Sequence, residues 1–148
     1  MSEQVRIILW GFAVLLVQIG SGTFFDILGI RPDFILIYVL LTTLRHGRIT
    51  GLLTGFGLGL LLDYLSIGTL GVHDLAKSSL AFWVGMWLDN RVGSVALGWW
   101  VLILGGAFVI QGTIISFVSP LSQQLGYPGY FTRYILPGTI YTCLAGLL

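Results

Sequence analysis

Apolar residues along this chain fall into about six blocks separated by short polar turns. The first block runs from about Val5 to Phe25, with Trp10 near its start, and the second from Phe34 to Leu44. The third covers Ile49 to Ser66, and the fourth begins near Leu70. The fifth, about Val95 to Val118, opens near Trp99 and Trp100 and ends at Pro120; the last, about Tyr134 to Leu148, contains Pro137. Several of these blocks approach the roughly 20 residues that a helix needs to cross a bilayer. The pattern predicts helical spans joined by tight connections.

Composition turns that pattern into a class. Hydrophobic residues make up 56% of the 148 and charged residues only 9%, against about 25% charged in a soluble domain; mean hydropathy is +0.96. Too few charges remain to solvate a surface. The expectation is an all-α polytopic integral membrane protein, about six transmembrane helices in a compact bundle, forming one transmembrane domain over 1–148. The net charge of +1 excludes a basic surface for nucleic acid. A single cysteine, Cys143, excludes an internal disulfide and a Cys-rich metal site and reads as a small packing residue. The N-terminal block is long and lacks an A-x-A-type cleavage site before Asp26, so it reads as a retained first span. The last block is barely long enough to span and carries no charged tail, which leaves room for a native C-terminus that extends further.

The few polar residues are concentrated in the middle of the chain. Pro32 suits the first position of a helix, where its missing N–H would be unpaired anyway, and Asp33 then sits in the first turn against the positive helix end. The block it opens is about half a span long at 1.5 Å per residue. Either that start lies below the membrane surface, shielded by protein, or the helix includes its flanks and Arg45 snorkels to the interface. Arg45, His46 and Arg48 form the most basic loop. Gly51, Gly55 and Gly59 recur every four residues beside Gly57, a small-residue stripe for close helix approach within this chain or toward a partner. The G-x-G-x-G there is no nucleotide fingerprint, because no strand precedes it.

Asp63 continues the glycine face, and His73, Asp74 and Lys77 cluster on one side of the next helix. Intramembrane charges default to functional candidates with a named partner. Lys77 is expected to pair with Asp63 across the turn Ile67-Gly68-Thr69, or with Asp74 on its own helix. The four residues then form a structural ion pair or line a pocket for a proton or solute. Asp89, Asn90, Arg91 and Gly93 make a polar turn, and Leu121 to Arg133 reads as a polar, aromatic loop. With the N-terminus inside, Arg6, Arg45, Arg48 and Arg91 fall on inner loops and Arg31 and Arg133 on outer ones. That bias points to both termini in the cytoplasm. No H-E-x-x-H, G-x-S-x-G, Walker A or C-x-x-C pattern occurs. Nothing supplies a nucleophile or an oxyanion site, so no enzyme and no cofactor is expected.

The stretch PDFILIYVLLTTLRHGRITGLLTGFGLGLLLDYLSIGTLGVHDLAKSSLAFWVG resembles the rod shape-determining MreD family. The likeness is carried by Pro32 and Asp33, the basic turn Arg45, Gly47 and Arg48, the glycines 51, 55 and 59, Asp63, and the Leu70-Gly71…Ala76 entry. It covers about a third of the chain. Two departures stand out: Asp74 and Lys77 occupy positions expected to be apolar or small, and the charged C-terminal tail is absent. The resemblance implies a non-enzymatic inner-membrane scaffold of the bacterial elongasome. Such a protein would bind MreC directly and, through it, RodA, its class B penicillin-binding partner and MreB, organising peptidoglycan synthesis for rod shape. It also implies a fold similar to the S-components of ECF-type vitamin transporters. That similarity supplies the alternative function, a solute-binding membrane subunit of a transporter.

Overall fold

A computed structural model describes residues 2–20, 30–65, 71–88 and 96–147 of the chain, with the side chains of Val72 and His73 outside the described set. The turns at Ile67–Thr69 and Asp89–Gly93 also lie outside it. The described residues build helices α1 (Glu3–Gly20), α2 (Phe34–His46), α3 (Arg48–Leu65), α4 (Val72–Leu88) and α5 (Leu97–Val118). Beyond Ser119 come α6 (Pro120–Tyr130), one π-helical turn (Phe131–Ile135) and α7 (Leu136–Ala145).

Helices α1, α3 and α5 are long and apolar enough to cross a membrane, and α4, with 17 residues, falls just short of that length. Their outer faces are apolar, with Leu53, Leu102 and Phe117 each more than half exposed. In water such a surface would aggregate; in lipid it is the expected exterior. The chain is an all-helical membrane protein.

The shortest of the first five helices holds the centre. With 13 residues, α2 is only about 20 Å long, yet it touches α1, α3, α4, α5 and α7. Its sequence gives it two apolar faces. Leu36 and Leu40 pack with Leu80 of α4 and with Trp100, Leu104 and Ala107 of α5. Ile35 and Val39 pack with Leu15, Leu58 and Ala81 of α1, α3 and α4. Close approach on the third side comes from glycine. A Cβ on Gly51 would drive into Thr43 of α2, and one on Gly55 would lie 3.1 Å from the Lys77 carbonyl oxygen of α4. These two glycines are therefore turned inward and filled by neighbours of the same chain.

Leu121 to Arg133 is helical, not the loop that its polar composition suggests. Pro120 sits in the first turn of α6, where a missing N–H costs nothing. The loop-like residues mark a kink instead: Gly126 has a φ of +70° inside α6, and Pro128 follows it. Trp100 is a core residue whose indole N–H donates to the Gly146 carbonyl at 3.0 Å.

Candidate functional site

The start of α2 is enclosed by other helices, so its unpaired backbone donors must find protein partners. Asp33 is the residue before the helix rather than one inside its first turn, and its Oδ1 accepts from the Leu36 N–H at 2.8 Å. Gln18 of α1 clamps the approach: its amide donates to the Pro32 carbonyl at 3.2 Å and accepts from the Phe34 N–H at 2.8 Å. The Asp33 N–H donates to the hydroxyl of Thr142 on α7 at 3.2 Å. Buried Pro32 thus stands just outside the helix.

That cap leaves Asp33 Oδ2 pointing into the bundle, where two side chains converge on it. Lys77 of α4 donates from Nζ at 2.7 Å, and Gln111 of α5 donates from Nε2 at 2.6 Å. Lys77 also donates to Gln111 Oε1 at 3.2 Å, closing a three-membered ring of hydrogen bonds. The Lys77 side chain is fully enclosed, and Asp33 is 13% exposed. A buried charge pair of this kind holds only with good geometry and further hydrogen bonds; here Gln111 and the Leu36 N–H supply them.

Lys77 therefore pairs with neither Asp63 nor Asp74. Those two residues meet each other at the start of α4. Asp63 Oδ2 accepts from the Gly71 N–H at 2.8 Å and lies 3.4 Å from the Asp74 nitrogen, so the last turn of α3 caps the first turn of α4. Oδ1 of each is buried and, among the described residues, has no hydrogen-bond partner. Lys77, a turn further along α4, reaches α2 instead because its position faces Asp33. The sequence grouping of Asp63, His73, Asp74 and Lys77 thus separates into a helix cap and a lysine assigned to another centre, with the His73 side chain outside the described residues. The remaining motif residues lie elsewhere. Arg45 is exposed at the far end of α2, Arg48 opens α3, and Gly59 is buried on α3.

Gln18, Gln111 and Thr142 escaped the sequence reading. Each is a polar residue within an apolar helix, and in lipid such a residue finds a partner across helices; that was the available signal. Beside the centre lies a cavity of about 300 Å³, bounded by Asp33 and Gln111, by Phe108 and Ile115, and by Tyr130 and Tyr134. The two tyrosine rings stack at 5.3 Å between centroids. Among the described residues no group of three or more His, Cys, Asp or Glu is placed to hold a metal ion. The arrangement is suited to tying α2, α4, α5 and α7 together and to presenting hydrogen-bonding groups to a cavity.

No curated protein and no solved structure matches the chain significantly. The family profile described as rod shape-determining protein MreD matches residues 3–144. That span takes in the described helices except the last residue of α7, together with the whole polar centre, and the chain belongs to the MreD family of rod shape-determining proteins.

Proposed function

We propose that the protein is a non-enzymatic scaffold of the elongasome in the bacterial inner membrane. In this reading it binds MreC directly and holds RodA, the class B penicillin-binding protein and MreB in the same complex. The observation that carries the reading is the family match over residues 3–144. Two features agree with it. The described mass is almost all helix, which leaves little extramembrane surface for an interface of standard size. Gln18, Asp33, Lys77, Gln111 and Thr142 hold helices together. Binding then rests on helix faces within the membrane. Gly51 and Gly55 are occupied by α2 and α4, so the partner uses a different face; Gly57, with open space around it, lies on one that is available.

The test is a mild-detergent pulldown of tagged protein from native membranes, with the associated chains identified by mass. Recovery of MreC supports the scaffold. Recovery of ATPase subunits with a retained small molecule and without MreC would replace it by the transporter-subunit reading. The proposal places both termini in the cytoplasm. In a variant with Cys143 replaced by Ala, a cysteine at Arg45 should then resist a membrane-impermeant thiol reagent in intact spheroplasts, and one at Gln123 should react. The reverse pattern rejects this orientation.

A further inference from the structure

We propose that the cavity beside Asp33 and Gln111 is a binding site for a small, uncharged, polyhydroxylated group, independent of the scaffold reading. The size comes first: at about 300 Å³ the cavity lies at the lower end of the range for small-molecule sites and fits one ring with its substituents. The charge follows from the centre itself. Asp33 already has Lys77 against it at 2.7 Å, so a cationic group finds its place taken. An anionic group would have to sit against the Asp33 carboxylate, and Arg31, the cation that lines the cavity, already has an interaction of its own within the chain. A neutral group meets neither penalty.

Hydrogen-bonding capacity narrows the class further. Gln111 uses one of its two amide hydrogens on Asp33, and its carbonyl oxygen takes one donor, Lys77. Asp33 Oδ1 accepts one backbone N–H and has a lone pair to spare. The floor thus offers a donor and acceptors side by side, which a hydroxyl group matches because it both donates and accepts. Tyr130 and Tyr134 add stacked rings at the wall, while Phe108 and Ile115 supply apolar contact. Polar groups at one end and aromatic and aliphatic faces around them suit a hydroxylated ring, whether free or as the headgroup of an amphiphile.

The experiment uses the full chain in phosphatidylcholine nanodiscs and reads saturable binding of tritiated octyl glucoside. Methyl glucoside and octyl sulfate serve as competitors. Ile115→Trp fills the cavity and Tyr134→Ala removes an aromatic wall. The expected result is a saturable component that octyl sulfate does not displace and that weakens at least about tenfold in either variant, provided it keeps the wild-type melting temperature. Displacement by methyl glucoside assigns the site to a free solute; its failure to displace, with saturable octyl glucoside binding, assigns it to a membrane amphiphile. No saturable binding up to about 10 mM overturns the proposal. So does displacement by octyl sulfate, which would show recognition of the alkyl chain, or equal binding in both folded variants.

Discussion

Lys77 is the residue on which this bundle's polar chemistry turns. Its charge was legible in the sequence as an intramembrane lysine in need of a partner, but the partner was not. Reasoning along the chain favours neighbours in sequence, Asp74 three residues away and Asp63 across one turn, whereas the observed carboxylate is 44 residues distant. Only the central position of α2 brings Asp33 to it. Removing one member of a buried pair leaves the other uncompensated, which costs about 3–5 kcal/mol. Lys77→Met is therefore expected to lower unfolding stability in detergent by that order. Adding Asp33→Asn should restore most of it, because the asparagine oxygen still accepts from the Leu36 N–H and its amide nitrogen can donate to the Gln111 carbonyl oxygen, which Lys77 no longer occupies. Equal losses in the single and double variants would mean that the pair carries no coupling.

At the scale of elements, the connections between helices separate good readings from poor ones. The apolar blocks locate α1 to α5 to within a few residues, since lipid demands long apolar runs whatever they pack against. The segment after Pro120 reads as a loop because its glycines, proline and glutamines match loop chemistry, and nothing local shows that α6 continues through a kink at Gly126. Glycine packing was half visible. The four-residue spacing of Gly51 and Gly55 announced a close contact, yet Gly85, isolated in α4, sits as tightly: a Cβ there would lie 2.8 Å from the Arg48 Cα. Gly51→Ala and Gly85→Ala should each lower the melting temperature clearly, since backbone atoms or a buried threonine stand in the way. Gly57→Ala, with nothing within 4 Å, should leave it unchanged or raise it slightly. A ranking in which Gly57 is the most sensitive would contradict this packing.

For the whole molecule, the arrangement of Asp33, Lys77 and Gln111 bears on how the chain is made. A lysine in a lone inserting helix costs up to about 2.5–3.5 kcal/mol, most at the centre, and Lys77 lies within the first half of α4. Helices leave the ribosome in order, so α2 and α4 are both available well before Gln111 arrives on α5. Asp33 and Lys77 neutralise each other as soon as the two helices meet, so the chain need never present either charge to lipid alone. Chains truncated after Leu88 and tagged for glycosylation should insert α4 efficiently, and Asp33→Leu should reduce that efficiency. An unchanged fraction would mean that α4 enters without help from α2. A dependence of α4 insertion on Asp33 would make the pair a checkpoint in biogenesis, at which α4 enters the bilayer with α2 already beside it.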